Sequence, residues 1–237
     1  MKKLLTLIVL LAGLATSASA LEYEPESGLT FQGLFGLNMS NFRGDLFTNA
    51  GGNIDSKVNP SFNVGVRGEY MLPNCKGVFV NLGANFSMKG AKGDVIDASG
   101  RPAVQKARAG YIEIPFHVGY RYNFSDLLGV YADFGPYFAL GICGKSICDY
   151  DDDSIDNVST RFFRKDQTFG NIQRFDSGLG CRVGAEYDNH HSLTFGFDWG
   201  LTDMYTNEYR KEFYQSYNQY LDKMKNFNAS ITYGYRF

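Results

Sequence analysis

The segment FNASITYGYRF, residues 227–237, decides how the rest of the chain is interpreted. Apolar or aromatic side chains alternate strictly with small or polar ones up to Phe237. Such period-two alternation predicts a β-strand with one apolar face and one polar face. A strand of this kind that ends on an aromatic residue is typical of outer-membrane β-barrels, so the segment indicates both a fold and a location.

Seven more segments show the same alternation, at residues 29–40, 60–72, 77–89, 109–122, 129–143, 172–187 and 192–202. Each is long enough to cross a bilayer at the usual tilt, which takes about 9–11 residues. Together with the terminal segment they make an even number of strands, as in single-chain bacterial barrels. The predicted fold is all-β, an eight-stranded antiparallel transmembrane up-and-down β-barrel.

The connections between these segments alternate in length. Short ones are expected at 73–76, 123–128 and 188–191, and long ones at 41–59, 90–108, 144–171 and 203–225. Short periplasmic turns opposite long extracellular loops are the outer-membrane pattern. The alternative is a soluble lipocalin-like barrel, which would place its apolar side chains inside and its charges outside.

The first 20 residues have the three parts of a secretory signal peptide. Lys2 and Lys3 are followed by an apolar stretch at 4–14, which is too short to span a bilayer, and then by Ala18-Ser19-Ala20. We therefore assign residues 1–20 to a cleaved signal and residues 21–237 to the barrel domain. The expected location is the outer membrane of a Gram-negative bacterium.

The composition agrees with a barrel and argues against a nucleic-acid partner. Beyond the signal the chain has 21 basic and 25 acidic residues, a charge too mild and too mixed for nucleic acid. Aromatic residues make up 16% of the chain and there are 27 glycines, as expected for aromatic girdles and Gly-rich strands. The expected partners are outer-membrane lipid, lipopolysaccharide and, during biogenesis, the barrel-assembly machinery.

The polar face of the predicted strands is rich in charge. It carries six basic and six acidic residues: Arg67, Lys89, Arg121, Arg174, Arg182, Arg236, Glu69, Glu113, Asp133, Asp176, Glu186 and Asp198. The interior of an eight-stranded barrel is just wide enough for side chains to fill. Balanced charges in that lumen are expected to pair in a structural network and plug it. The alternative is a narrow, gated, charged conduit for small solutes.

Catalytic and metal motifs are weak in this sequence. His117 lies on the inward face near Glu113, and a histidine beside a carboxylate can act as a general base. Its mid-strand position does not suit catalysis at the outer rim, however. The acidic run Asp151-Asp152-Asp153 lacks the spaced ligands and turn glycine of a calcium loop. We therefore expect no enzyme activity, no cofactor and no metal.

The fourth long connection has a helical pattern. Tyr209, Phe213, Tyr217 and Leu221 recur every four residues and form one stripe. This stripe either packs on the protein's own loops or meets an external protein partner. The long extracellular loops are the expected sites for such partners.

Four cysteines follow the signal in an oxidising compartment. Cys143 and Cys148 lie close in sequence, whereas Cys75 belongs to a periplasmic turn and Cys181 to the lipid face. Cys143–Cys148 is therefore the expected intrachain disulfide.

The chain resembles the PorT-like outer-membrane β-barrel family of Bacteroidetes-type bacteria. The resemblance lies in the order and spacing of short pieces: Gly36-Leu37-Asn38, Tyr111-Ile112-Glu113-Ile114-Pro115, Phe134-Gly135-Pro136-Tyr137, Phe175-Asp176-Ser177-Gly178, Trp199-Gly200-Leu201-Thr202 and Tyr233-Gly234-Tyr235-Arg236-Phe237. It implies a barrel fold and an outer-membrane location, and it supplies no catalytic residues. The founding member is associated with type IX protein secretion.

These observations favour a non-catalytic envelope protein with a structural or surface-interaction role. Assistance in protein secretion is one such role. The alternatives are a narrow porin-like channel and an outer-membrane enzyme.

Overall fold

The computed structural model describes residues 28–43, 57–96, 101–150, 157–163, 172–218, 220 and 222–237, so the predicted signal peptide lies outside the described residues. These described residues form nine strands and one helix in the order β1 Leu29–Arg43, β2 Lys57–Met71, β3 Val78–Ile96, β4 Pro102–Asn123, β5 Leu128–Tyr150, β6 Val158–Arg161, β7 Phe175–Tyr187, β8 His191–Gly200, α1 Asn207–Tyr217 and β9 Lys225–Arg236.

Eight of the strands close into a ring in which every neighbouring pair is antiparallel. The order is β1-β2-β3-β4-β5-β7-β8-β9, and β9 pairs back with β1 over Gln32–Arg43. The additional strand β6 pairs with β5 through Lys145–Cys148 and adds a short edge outside the ring. The predicted all-β, eight-stranded antiparallel barrel is confirmed. Among the described residues no helix is long and apolar enough to cross a membrane.

The two faces of the ring have opposite polarity. The outward face exposes large apolar side chains on every strand, among them Phe31, Phe35, Val66, Leu82, Ile114, Phe134, Val183, Phe195 and Ile231. The inward face buries polar and charged ones, among them Gln32, Asn38, Arg67, Glu69, Asn81, Lys89, His117, Arg121, Asp133 and Glu186. This arrangement suits a lipid environment and is the reverse of a lipocalin-like barrel, so that alternative is wrong.

The turns at one end of the ring are short, and the connections at the other end contain more strand than the sequence predicted. Residues 72–77, 124–127 and 188–190 form the short, periplasmic-type turns. At the loop-side end, β3 continues to Ile96, β4 starts at Pro102 and β5 continues to Tyr150. The segments 90–108 and 144–171, predicted as connections, are therefore partly a projecting sheet. Their outward residues include charged ones, such as Lys92, Lys106 and Arg108, so these segments lack the apolar face of lipid-facing strands.

The loop-side mouth of the ring is filled by an apolar core, the apolar cap. Its buried members are Phe42, Ala91, Ala103, Ala107, Ala109, Tyr111, Tyr137, Ala139, Phe162, Ile172, Met204, Tyr205 and Met224. The ring of Phe162, which follows β6, stacks on that of Phe42 with centroids 5.9 Å apart. Because β1 and β5 stand on opposite sides of the ring, this contact bridges the mouth.

Helix α1 packs against the apolar cap with part of the predicted stripe. Thr206 caps its N-terminus by accepting a hydrogen bond from the Tyr209 backbone N–H at 3.3 Å, and Asn218 ends it in the left-handed conformation. Tyr209 and Phe213 pack on the cap, so packing on the protein's own loops is confirmed for these two residues. The helix ends at Tyr217, and Leu221 lies outside the described residues.

Gly135 tests how tightly the strands and lumen are packed. A Cβ at this inward position would lie 2.1 Å from the Phe116 carbonyl oxygen and 2.8 Å from the His117 Cα. Gly135→Ala is therefore expected to lower the free energy of unfolding by about 1–3 kcal/mol, because backbone atoms must move. Urea titration in detergent, followed by the mobility of the unboiled barrel on a gel, measures the change.

Gly68→Ala is the matched control. A Cβ at this outward position would meet the Phe31 ring at 3.5 Å, an ordinary contact. Its effect is expected to stay within about 0.5 kcal/mol. Equal effects of the two substitutions would contradict the tight lumen packing.

Candidate functional site in the barrel lumen

Four charged side chains form a closed ring across the lumen at the end with the short turns, the ion ring. Arg121 lies between two carboxylates, with Nη2 2.6 Å from Glu69 Oε1 and Nε 2.7 Å from Glu186 Oε2. Arg236 closes the ring, with Nη2 3.3 Å from Glu69 Oε1 and 2.7 Å from Glu186 Oε1. All four residues are buried or largely buried, so each charge is neutralised by its neighbours and not by bulk water.

The ion ring follows from the order of the strands. Glu69, Arg121, Glu186 and Arg236 come from β2, β4, β7 and β9, which are every second strand of the eight-membered ring. Acid and base alternate from one contributing strand to the next. Like charges therefore face each other across the lumen, and each lies beside two opposite charges.

Two aromatic side chains pack against Arg121 of the ion ring and hold its guanidinium in place. The Arg121 guanidinium lies 5.2 Å from the centroid of the Phe79 ring and 5.9 Å from that of Tyr131. Phe79 and Tyr131 make an edge-to-face contact with centroids 6.2 Å apart. Cation–π contacts of this kind are strengthened where water is excluded.

The middle of the lumen is organised around Asp133. Its Oδ1 lies 2.5 Å from His117 Nδ1, and its Oδ2 accepts from the Asn81 amide at 3.3 Å. Arg67 Nη1 is 3.9 Å and Arg182 Nη1 is 4.0 Å from this carboxylate. The hydrogen-bond partner of His117 is therefore Asp133, whereas the sequence pointed to Glu113.

Glu113 belongs instead to a third cluster beneath the apolar cap. Lys89 Nζ lies 2.7 Å from Glu113 Oε2 and 4.5 Å from the centroid of the Tyr137 ring. The Tyr137 hydroxyl donates to Asp176 Oδ2 at 3.2 Å, and the Asn226 amide donates to the same oxygen at 2.8 Å. This cluster links the charged lumen to the aromatic residues that close the mouth.

Between the clusters lies a polar cavity of about 40 Å³. Amides connect its walls, since Asn63 Nδ2 donates to Asn38 Oδ1 at 2.6 Å and Asn228 Nδ2 donates to Asp198 Oδ2 at 3.1 Å. A cavity of this size and polarity has room for a few water molecules. It is too small for a nutrient-sized solute.

Arg174 does not join the lumen charges, which corrects one predicted residue. It precedes β7, is exposed, donates from Nη1 to the Gly141 carbonyl at 2.9 Å and lies over the Phe163 ring. The alternation used to place it does not extend to residue 174, because β7 begins at Phe175. The other eleven predicted residues line the lumen, with five cations against six carboxylates: Arg67, Lys89, Arg121, Arg182, Arg236, Glu69, Glu113, Asp133, Asp176, Glu186 and Asp198.

The predicted Cys143–Cys148 disulfide is wrong. Both cysteines lie in the continuous strand β5, and no disulfide joins any of the four cysteines, all of which are described. Five residues of strand span about 16 Å. The Cα atoms of a disulfide are about 4.4–6.8 Å apart, so extended backbone cannot bring these two thiols together.

The lumen contains polar residues that the sequence analysis passed over. Gln32 accepts from Arg67 Nη2 at 2.6 Å, and the hydroxyls of Tyr131 and Thr194 are hydrogen-bonded to each other. These residues and the asparagines of the cavity occupy the same alternating positions as the charges. The period-two pattern would have found them if neutral polar residues had been counted.

Within the described ranges, no three His, Cys, Asp or Glu side chains come close enough together to hold a metal ion. The His117–Asp133 pair is buried inside the lumen, with both side chains at 0% exposure. A substrate in the medium or in the membrane has no direct access to it.

A closed ring of antiparallel strands, apolar outside and charged inside, defines a transmembrane β-barrel. The family model described as outer membrane protein beta-barrel domain matches residues 17–206 of the 237-residue chain. The chain belongs to this family and is an outer-membrane protein. A search of curated protein sequences finds no match.

Solved structures of small outer-membrane barrels are similar in fold. OprG from Pseudomonas aeruginosa is 13% identical with a TM-score of 0.43, and the match covers 91% of this chain and 98% of OprG. Ail from Yersinia pestis is 13% identical with a TM-score of 0.38, covering 90% and 100%. A major outer membrane protein from Thermus thermophilus is 14% identical with a TM-score of 0.45, covering 89% and 100%. At these identities the likeness concerns the barrel fold alone.

Removing one carboxylate from the ion ring tests its contribution to stability. Glu69→Gln leaves Arg121 and Arg236 to share Glu186 in a buried site. The free energy of unfolding is expected to fall by about 3–5 kcal/mol, as when one partner of a buried ion pair is removed. Urea titration in detergent measures this loss.

Glu208→Gln in the exposed first turn of α1 makes the same chemical change outside the lumen. It is expected to alter stability by less than about 0.5 kcal/mol. If Glu69→Gln were equally mild, the ion ring would not be an essential part of the folded lumen.

Proposed function

We propose that this protein is a non-conducting, non-catalytic outer-membrane barrel that acts through its loop-side surface. The observation that carries the proposal is the double closure of the lumen. The ion ring crosses the periplasmic end, and the apolar cap fills the mouth at the other end. A solute entering from either side meets a packed layer of side chains.

The two closures differ in chemistry and involve separate residues. The ion ring depends on four buried charges from β2, β4, β7 and β9. The apolar cap depends on residues of β1, β3, β4 and β5 together with residues outside the ring of strands, such as Phe162 and Met204. Opening a path through the barrel would require both to rearrange, so a structural or interaction role fits better than transport.

The loop-side surface has exposed elements that a partner protein could contact. The sheet formed by β3, β4, β5 and β6 projects beyond the mouth, and α1 lies beside it on the cap. Helix α1 exposes Tyr214 at 40%, and Tyr220 beyond the helix is 86% exposed, with their rings 4.7 Å apart. Tyrosine combines apolar area with a hydroxyl and is enriched in protein interfaces.

Assistance in protein secretion is the specific role that we propose for this surface. It rests on the resemblance of the strand motifs to PorT-like barrels and on a projecting sheet suited to protein contact. In this role no reaction takes place in the lumen. It requires that an envelope protein contact the loop-side end.

A narrow channel is the second candidate function. The polar cavity, with Asp198 and Arg182 in its walls, is the observation that favours it. A channel would need this cavity to connect to both ends of the barrel. The ion ring and the apolar cap oppose that connection.

Single-channel recording in planar bilayers separates the two candidates. Wild-type protein is expected to insert without sustained conductance steps, because both ends of the lumen are closed. A variant with Glu69, Arg121, Glu186 and Arg236 all changed to Ser is expected to remain silent, since the apolar cap is unaltered. Insertion is checked by the mobility of the unboiled barrel, and sustained steps from wild-type protein would overturn the proposal.

Site-specific photo-crosslinking in the native outer membrane tests the interaction role. A photo-reactive amino acid replacing exposed Tyr214 is expected to capture a discrete envelope protein, which mass spectrometry identifies. The same group replacing lipid-facing Leu193 is the matched control and is expected to capture lipid. Recovery of the same proteins from both positions, or of none from Tyr214, would count against a loop-side partner.

A further inference from the structure

Two rows of basic side chains run across the outward face of the projecting sheet and the adjoining start of β2. Lys57, Lys92 and Lys106 are paired in register across β2, β3 and β4. Two residues further along β4, Arg108 pairs with Lys145 of β5, and Lys145 pairs with Arg161 of β6. Directly paired residues point to the same face with Cβ atoms about 5 Å apart, so these six cations form one surface, the basic patch.

Like charges placed directly opposite each other in a sheet repel. The described residues supply only two carboxylates nearby, Asp94 beside Lys57 and Asp149 at 2.6 Å from Lys106. Lys92, Arg108 and Lys145 form no salt bridge within the described ranges. Arg108 has a neutral partner, the Asn59 side-chain oxygen at 3.4 Å. Among the described residues, Lys92, Arg108 and Lys145 thus form a positively charged centre of the sheet that an external anion would stabilise.

The height of the basic patch on the barrel indicates the origin of that anion. Below Arg108 on the outward face of β4, the next two outward positions are Gly110 and Ile112. Ile112 faces the lipid, and Leu140, which pairs with it on β5, is 53% exposed. Four residues of strand span about 13 Å, and less in height because barrel strands tilt. The basic patch therefore lies at the headgroup level, just above the apolar wall on the loop side of the barrel.

We propose that the basic patch binds the phosphate groups of lipopolysaccharide, the phosphorylated glycolipid of the outer leaflet. Arg108 offers a planar guanidinium group that binds phosphate oxygens in pairs, and Lys92 and Lys145 add point charges. The two rows are about 7 Å apart along β4, so one headgroup with several phosphates can contact both.

The wall below the basic patch favours a lipid over a soluble polyanion. Ile112, Ile142 and Leu140 expose apolar surface directly beneath the cations. Acyl chains that pack on this wall bring their own headgroup phosphates to the height of Arg108 and Lys145. A soluble anion gains only the electrostatic contribution, which salt screens.

Lipid binding by the basic patch does not depend on the proposed function. A barrel that does not conduct and does not bind lipopolysaccharide would contradict only the lipid-binding inference. A barrel that conducts and binds lipopolysaccharide would contradict only the proposed function. The bilayer recordings report on the lumen, and the lipid measurement below reports on the outer surface.

Binding of bisphosphorylated lipid A to the full-length protein in detergent micelles tests the inference. Native mass spectrometry follows the bound lipid, and the same lipid A stripped of its phosphates serves as the second probe. The variant Lys92→Gln/Arg108→Gln/Lys145→Gln is expected to bind bisphosphorylated lipid A at least about tenfold more weakly than wild type. A single Lys145→Gln variant is expected to show a smaller loss in the same direction.

The matched control neutralises three exposed lysines elsewhere, as Lys76→Gln/Lys211→Gln/Lys223→Gln. It has the same net charge as the triple variant and is expected to bind like wild type. Unboiled gel mobility verifies that every variant is folded. Equal loss in both triple variants, unchanged binding in the basic-patch variants, equal binding of the phosphate-free lipid, or displacement by soluble heparin at lower concentration than lipid A would each overturn the inference.

Discussion

The ion ring is the interaction on which the structure of the lumen depends. An eight-stranded barrel is too narrow for water to solvate isolated charges, yet its inward positions carry five cations and six carboxylates. The ion ring takes one residue from every second strand, and acidic and basic residues alternate around it. Each charged side chain therefore lies between two residues of opposite charge. The same contacts connect β2, β4, β7 and β9 across the lumen. Backbone hydrogen bonds join each of these strands only to the two strands beside it, so the ion ring links strands that are not neighbours.

The other end of the lumen is closed by a different kind of contact. The apolar cap unites residues that lie far apart in sequence, such as Phe42 of β1 and Phe162 after β6. Between the two closures, Asp133 and Lys89 organise smaller polar clusters around a cavity of about 40 Å³, which is large enough only for water molecules. The lumen is thus a packed interior, and among the described residues the surfaces open to other molecules include the projecting sheet, α1 and the lipid-facing wall.

Particular residues show how far prediction from sequence extends. Strict alternation placed Glu69, Arg121 and Arg236 correctly on the inward face because the side-chain period of a strand is two. The same rule misplaced Arg174, where the strand had not yet begun, and it could not choose Asp133 over Glu113 as the partner of His117. Closeness in sequence suggested a Cys143–Cys148 disulfide, whereas extended backbone keeps the two thiols apart.

The eight strands of the ring, their antiparallel order, the membrane-facing side of each and the polar lumen are all predictable from the sequence, because each follows from local alternation and connection length. The three-dimensional fold was needed to show which charges pair, that an apolar cap closes the loop-side mouth, and that Lys92, Arg108 and Lys145 meet in one patch. Those properties depend on the lateral register between strands and on the curvature that brings β1 opposite β5. A period-two pattern contains no information about either, since it states which face a side chain occupies and not which side chain lies across from it.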